Sequence, residues 1–99
     1  MADQHKILWS IKATKDLENI IHYLETNWSE KEIQNFNIKL NKAISLIAAR
    51  PKLFRATNYR KSLRKCVLTK QTTLYYQEID SVIYIVTLFD NRQNPAKLT

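Results

Sequence analysis

Residues 63–89 read LRKCVLTKQTTLYYQEIDSVIYIVTLF and contain three consecutive runs of strand-forming residues. The runs are Leu63–Thr69, Thr73–Ile79 and Val82–Phe89, with Lys70–Thr72 and Asp80–Ser81 between them as natural turns. This pattern predicts an antiparallel meander of three strands. The last run is apolar on both of its faces, which predicts a central strand that is covered by helices on one side and by part of the chain on the other.

A first strand and a first helix are predicted near the N-terminus. Lys6–Lys12, KILWSIK, is rich in β-forming residues and predicts the strand. Helical spacing then takes over, and we expect a helix that begins at Ala13 or Thr14 and ends near Asn27. Its apolar stripe is Leu17, Ile20, Ile21, Leu24 and Trp28.

A second helix is predicted to begin after Ser29. Glu32 follows this serine by three residues, which is the spacing of a capping box. The helix must end at Ala49 or Arg50, because Pro51 disfavours helical geometry at the residue before it. Its apolar stripe is Ile33, Phe36, Leu40, Ala43, Ile44, Ile47 and Ala48. Aromatic residues at helical spacing favour a core over a ligand site, and the short link favours an antiparallel helical hairpin.

The order of elements is strand, helix, helix, strand, strand, strand. It predicts an α+β fold in which a helical hairpin packs on a mostly antiparallel four-stranded sheet. With 99 residues, we expect residues 1–99 to form a single domain with one core.

The charge of the chain is concentrated in its second half. Residues 1–49 carry six basic and six acidic residues, whereas residues 50–99 carry ten basic and three acidic ones, a net charge of +7. Eight of those cations lie in the basic stretch Arg50–Lys70, RPKLFRATNYRKSLRKCVLTK, which has no Asp or Glu. Such asymmetry favours a nucleic acid, an anionic surface or an acidic protein as partner, or else a solvated face that keeps the protein in solution.

Several classes of protein are disfavoured by composition. The single cysteine, Cys66, cannot form an internal disulfide, and no second Cys or paired His is available for a zinc site. The chain has no glycine, which excludes the glycine loops of nucleotide-binding sites. No signal peptide or membrane span is recognisable. We therefore expect a cytoplasmic protein without a metal, a cofactor or a membrane partner.

Cations and aromatic residues are expected to gather on the C-terminal sheet. The group is Arg60, Arg64, Lys65, Tyr75, Tyr76 and Arg92. Metal-independent cleavage of RNA needs a base, cations for the growing phosphorane charge and an acid. Arginines suit the second role, whereas the first and third have no candidate except a tyrosine or lysine with a shifted pKa. In an antiparallel meander, the start of the second strand, where Arg64 lies, and the exit of the last strand, which Arg92 follows, are at opposite ends of the sheet. The sequence therefore leaves open whether Arg64 and Arg92 share a site.

The chain resembles the toxins of the RelE/ParE superfamily, which belong to bacterial type II toxin-antitoxin modules. The resemblance rests on the order of elements, on the helical motif ATKDLENIIHYLETNW and on LRKCVLTKQTTLYYQEIDSVIYIVTLFDNRQNPAKL. Its most specific parts are an LxYxxxD pattern made by Leu74, Tyr76 and Asp80, and the strand that ends in LFDNRQNP.

This resemblance implies an antitoxin that wraps the toxin, and one of two toxic activities. RelE-like members cleave messenger RNA on the ribosome, and ParE-like members inhibit DNA gyrase. Arg92 falls where the nucleases carry a phosphate-stabilising arginine, and Arg64 falls near one of their lysines, so the resemblance implies that both are catalytic if the chain is a nuclease. Thr73 replaces a second arginine, and no tyrosine or histidine follows Arg92, which weakens the nuclease hypothesis.

The preferred hypothesis is a growth-inhibiting toxin whose target-binding residues are Arg60, Lys61, Arg64, Lys65, Lys70 and Arg92. Two rivals remain at this point. A non-toxic binding module would form a complex with an antitoxin and would not arrest growth. A basic RNA-binding domain would show affinity that falls steeply with salt.

Overall fold

The computed structural model describes residues 5–58 and 62–91, which contain two helices and four strands. The elements are β1 (Lys6–Trp9), α1 (Ile11–Asn27), α2 (Glu30–Ala49), β2 (Arg64–Val67), β3 (Thr72–Ile79) and β4 (Val82–Asp90). Their order confirms the predicted α+β arrangement. Arg60, Lys61 and Arg92 of the predicted site lie outside the described residues.

The four strands form one sheet in the order β1-β4-β3-β2. β4 pairs in parallel with β1 and antiparallel with β3, so the most apolar strand is an interior one. β2 pairs antiparallel with β3, which makes the sheet mixed but mostly antiparallel, as predicted. Asp80 and Ser81 connect β3 to β4 with φ values of 52° and 69°. Positive φ at both positions matches the twist of the strands that a two-residue turn joins.

One face of the sheet packs against both helices to form the core. Its buried members are Ala13, Ile20, Leu24, Phe36, Leu40, Ala43, Ile47, Cys66, Leu68, Leu74, Tyr76, Ile83, Ile85 and Leu88. Trp28 departs from its predicted stripe and is 46% exposed. The reason is local: Trp28 ends α1 in an extended conformation, which takes its side chain off the helical face. In the described part of the chain, neither helix is long and apolar enough to span a membrane.

Ser10 sets the boundary between β1 and α1. Its hydroxyl accepts a hydrogen bond from the backbone N–H of Ala13 at 2.9 Å, which caps the helix. The same hydroxyl donates to the carbonyl of Val86 in β4 at 2.8 Å. The predicted boundaries were therefore wrong here: α1 begins at Ile11, two or three residues before the predicted start, and β1 ends at Trp9, three residues before its predicted end.

β4 contains a β-bulge at the point where β1 ends. Tyr76 lies opposite Ile85, whereas Tyr75 lies opposite Thr87, so Val86 has no partner on β3. A bulge leaves the extra residue outside the ladder. The hydroxyl of Ser10, described above, satisfies the carbonyl of that extra residue.

Asp16 of α1 protects the edge of β4 beyond the bulge. β1 pairs with the first half of β4, and within residues 5–58 and 62–91 no strand lies beside the second half on that side. The Asp16 carboxylate accepts hydrogen bonds from the hydroxyl of Thr87 and, at 3.2 Å, from the backbone N–H of Leu88. It thereby takes the place of the missing strand and fixes α1 against the sheet.

We expect Asp16→Ala to lower the free energy of unfolding by about 2 kcal/mol, because the backbone N–H of Leu88 loses a charged acceptor. Urea denaturation followed by circular dichroism measures the change. Glu18→Ala, an exposed position on the same helix, is the matched control and should stay within about 0.5 kcal/mol of wild type. Equal stability of both variants would show that Asp16 does not hold the edge.

Candidate target-binding surface

The segment between α2 and β2 runs back along the free edge of β2. Ala56 forms an isolated antiparallel bridge with Arg64. The backbone N–H of Lys65 donates to the carbonyl of Arg55 at 3.0 Å. Because an open edge strand exposes unpaired backbone groups, this pairing protects β2, and it also brings Arg55 next to Lys65.

Two side chains of the sheet hold this segment in place. Arg64 Nη1 donates to the carbonyl of Phe54 at 2.7 Å, and the Tyr76 hydroxyl donates to the carbonyl of Pro51 at 2.7 Å. Arg64 and Tyr76 are cross-strand partners on β2 and β3. The rings of Phe54 and Tyr76 meet edge to face, with their centroids 6.4 Å apart. The segment is thus anchored by two side-chain hydrogen bonds and one aromatic contact.

Burial changes the chemistry of Tyr76 and Cys66. Tyr76 is fully buried, and burial raises the pKa of its hydroxyl to about 12, although the positive charge of Arg64 acts in the opposite direction. Burial likewise raises the pKa of the Cys66 thiol to about 11. Both groups therefore keep their protons at neutral pH, so neither serves as a base or a nucleophile.

A small cleft opens on the face of the sheet opposite the helices. Its volume is about 140 Å³, and its described lining is Arg55, Ala56, Thr57, Asn58, Lys65 and Tyr75. Lys65 and Tyr75 are cross-strand partners that alternate with Cys66 and Leu74, whose side chains are buried under the helices. The alternation of a strand thus directs Lys65 and Tyr75 to the open face. We call this site the Arg55–Lys65 cleft.

The cleft combines two cations with one aromatic side chain. Arg55 and Lys65 are exposed, and no side-chain partner from the described residues neutralises either charge. A cleft of this size admits a carboxylate or a phosphate group, and both cations can donate hydrogen bonds to it. The arrangement is suited to binding an anionic group.

The three described residues of the predicted target-binding set, Arg64, Lys65 and Lys70, occupy different places on the sheet. Arg64 and Lys65 are consecutive in β2, so their side chains point to opposite faces, and the guanidinium of Arg64 is used inside the fold. Lys70 is exposed in the turn at the other end of β2. Of these three described residues, Lys65 is the one that lines the cleft. Sequence reasoning did not single out Arg55, because its pairing with β2 depends on contacts that no local pattern encodes.

Arg64 and the end of β4 lie at different ends of the sheet. Arg64 pairs with Tyr76, while Asp90 pairs with Thr72, four residues away along β3. At roughly 3.4 Å per residue, this offset is about 14 Å. The predicted role of Arg92, two residues after Asp90, stays a prediction.

Neither histidine lies at the cleft. His5 Nε2 is 3.1 Å from the Glu78 carboxylate, and His5 Nδ1 is 3.1 Å from the carbonyl of Ala48, so this ring ties the start of β1 to α2 and β3. His22 is exposed on α1. Within the described ranges, no three His, Cys, Asp or Glu side chains gather in a way that would hold a metal ion.

Comparisons with known proteins agree on the fold. A family model described as the ParE toxin of the type II toxin-antitoxin system parDE matches residues 7–95. A search of curated proteins finds no match. The structure is similar to one from the chromosomal ParDE toxin-antitoxin system of P. aeruginosa, with a TM-score of 0.72 and 11% identity over 90% of this chain and 98% of that one.

Two further solved structures share the arrangement. One is the YoeB/ParE toxin from Agrobacterium tumefaciens, with a TM-score of 0.63 and 11% identity over 86% of this chain and 96% of that one. The other is a chain of the E. coli DinJ-YafQ toxin-antitoxin complex, with a TM-score of 0.61 and 13% identity over 92% of this chain and 97% of that one. At these identities, the likeness is one of fold.

We expect Tyr76→Phe to lower the free energy of unfolding by about 1 to 2 kcal/mol, because the carbonyl of Pro51 loses its hydrogen-bond donor. Chemical denaturation in urea provides the measurement. Tyr84→Phe, which alters a half-buried tyrosine on the neighbouring strand, is the control and should cost less. If the two substitutions cost the same, the bond to Pro51 does not stabilise the segment.

The raised pKa of Tyr76 also predicts loss of stability at alkaline pH. The folded state holds the proton more tightly than the unfolded state, whose tyrosine pKa is near 10, so the stabilisation is complete below about pH 10. It should disappear as the pH rises towards 12. The free energy of unfolding of wild type should therefore fall more steeply across this range than that of Tyr76→Phe. Parallel curves for the two proteins would contradict the assignment.

Proposed function

The chain belongs to the ParE family of toxins of type II toxin-antitoxin systems, and from this membership we propose that it arrests growth by binding DNA gyrase. The Arg55–Lys65 cleft is the proposed centre of the contact surface. Lys70, Arg60, Lys61 and Arg92 are proposed to extend it. An antitoxin produced with the toxin is proposed to neutralise it in the cytoplasm.

The make-up of the cleft is the observation that favours binding over cleavage. Its described lining offers Arg55 and Lys65 as cations and Tyr75 as a phenol, without a histidine or a carboxylate. Cutting RNA through its 2′-hydroxyl needs a general base and a general acid, whereas holding a protein surface needs only complementary charge and shape. The described cleft therefore offers the kind of groups that stoichiometric inhibition of a protein target requires.

Arg64 is proposed to act indirectly in this function. Its guanidinium donates to the carbonyl of Phe54 and so supports the segment that presents Arg55. We therefore assign it a positioning role in place of the direct target contact or catalytic role expected from sequence. A substitution at Arg64 would disturb the cleft without removing a cation from it.

Messenger RNA cleavage on the ribosome is the second candidate. A cleft with two cations beside a phenol would also accommodate a phosphate group of RNA. Against this alternative, Thr73 precedes Tyr75 by two residues on β3, so it points to the same open face and offers no charge there. The cation expected of a RelE-like nuclease at that position is thus replaced by a neutral hydroxyl.

Induction of the wild-type chain without an antitoxin should arrest growth, and the double variant Arg55→Glu/Lys65→Glu should relieve the arrest. Purified wild-type protein should inhibit the supercoiling of relaxed plasmid by gyrase. The double variant should need at least about tenfold more protein for the same inhibition, because two favourable charges become repulsive. Lys15→Glu/Lys31→Glu makes the same change of net charge at exposed helical positions and should inhibit like wild type.

The result of these assays separates the candidates. Uninhibited gyrase together with new 5′ ends in messenger RNA would replace the gyrase proposal with the nuclease. A tight antitoxin complex without any growth arrest would indicate the non-toxic binding module. Binding to unrelated RNA that weakens steeply with salt, again without arrest, would indicate a plain RNA-binding domain.

A further inference from the structure

The Arg55–Lys65 cleft places a primary amine beside a group that can hold a small anion. Lys65 is exposed on β2, and Arg55 is next to it, because the backbone N–H of Lys65 donates to the carbonyl of Arg55 at 3.0 Å. A guanidinium binds a phosphate group through two parallel N–H donors and keeps its charge at any physiological pH. Arg55 can therefore hold a phosphate group while the amine of Lys65 remains close to it.

The size of the cleft limits what a bound phosphate can carry. Sites for drug-sized ligands have volumes of about 300–1,000 Å³, whereas this cleft has a volume of about 140 Å³. A nucleotide or coenzyme A is therefore too large to enter it. A phosphate that bears a small acyl group is small enough, and the acyl carbon of such a mixed anhydride is an electrophile that a lysine amine attacks.

The charge around Lys65 favours an anionic donor. Residues 50–70 contain no Asp or Glu, and the described lining of the cleft consists of neutral groups besides its two cations. Lys52 offers a contrast, because it also lies beside an arginine, Arg50, but the cavity that these two residues line includes the Glu78 carboxylate. A carboxylate repels a phosphate dianion. The cleft is therefore better suited to an anionic acyl donor than the cavity beside Lys52.

We propose that the Arg55–Lys65 cleft directs the acylation of Lys65 by a small acyl phosphate, such as acetyl phosphate. Lys65 first loses one proton to water, and its free amine then attacks the acyl carbon. A C–N bond forms, and the bond between the acyl carbon and the phosphate oxygen breaks. Phosphate leaves with the electron pair of that bond and takes a second proton from the nitrogen, which gives an amide and hydrogen phosphate. Arg55 stabilises the negative charge of the leaving phosphate.

The product alters the cleft that carries the proposed target contact. An amide has no charge, so acylation leaves Arg55 as the one cation in the described lining of the cleft. The modified toxin should therefore inhibit gyrase more weakly. This regulatory consequence rests on the proposed function, whereas the acyl transfer itself does not.

The test measures the initial rate of acetylation of each lysine when the purified full chain is incubated with acetyl phosphate, by peptide mass spectrometry. We expect Lys65 to react at least about tenfold faster than Lys52, and inorganic phosphate to slow the reaction at Lys65 but not at Lys52. Arg55→Ala should slow the reaction at Lys65 by about fivefold or more. Arg50→Ala, the matched control, removes the same charge beside Lys52 and should leave the rate at Lys65 unchanged.

Acetic anhydride provides a control for the donor, because it transfers an acetyl group without a phosphate. With the anhydride, the preference for Lys65 over Lys52 should disappear, and Arg55→Ala should have no effect. The proposal is overturned by equal rates at the two lysines with acetyl phosphate, by the same preference with both donors, or by a rate at Lys65 that neither inorganic phosphate nor Arg55→Ala lowers.

A supercoiling assay separates the acylation from the proposed function. Protein that carries acetyl-lysine at position 65, introduced by amber suppression, should need at least about fivefold more protein than wild type to inhibit gyrase. Equal inhibition by the two proteins would overturn the regulatory consequence. If wild type does not inhibit gyrase, the proposed function fails and selective acetylation of Lys65 still stands. If wild type inhibits gyrase but its lysines react evenly, the acylation site is disproved and the proposed function stands.

Discussion

The exposed edge of β4 beyond the end of β1 is the constraint that organises this fold. β1 is only four residues long and covers the first half of its neighbour, so no described strand pairs with the backbone groups of the second half on that side. Two side chains satisfy backbone groups there. The Ser10 hydroxyl donates to the carbonyl of Val86, and the Asp16 carboxylate accepts from the N–H of Leu88. Since both residues belong to the start of α1, the same contacts place the helical hairpin on one face of the sheet.

The opposite edge of the sheet is protected in a different way, and that difference creates the cleft proposed as the target-binding surface. Backbone pairing of residues 55–57 with β2 covers the edge, and Arg64 and Tyr76 anchor the segment from the helical side. The side chains that hold the segment thus lie on the inner face of the sheet, whereas Arg55 and Lys65 line the cleft on the outer face. Arg64 and Lys65 are consecutive residues of β2, so their side chains point to opposite faces. Arg64 therefore supports the fold, and Lys65 lines the cleft.

Two proposed roles depend on the Arg55–Lys65 cleft, which lies on the open face of the sheet. Lys65 contributes a charge to the proposed target contact and an amine to the proposed acylation, so an acylated Lys65 no longer offers its charge to the target. The two cations lie in a stretch without Asp or Glu, which is consistent with a chain whose second half holds its whole excess of positive charge.

The sequence by itself determined the order of elements, the interior position of β4, the helical stripes and the bias of charge, because each of these follows from the periodicity or composition of neighbouring residues. It also determined the family, through motifs that span most of the chain. Only the tertiary structure decided that α1 begins at Ile11, that Trp28 leaves its stripe, and that Arg64 supports the fold while Arg55 lines the cleft. These outcomes depend on bonds such as the one from Ser10 to Val86, which joins residues 76 positions apart. No local pattern records such a contact, since it forms only when the sheet and the helices meet.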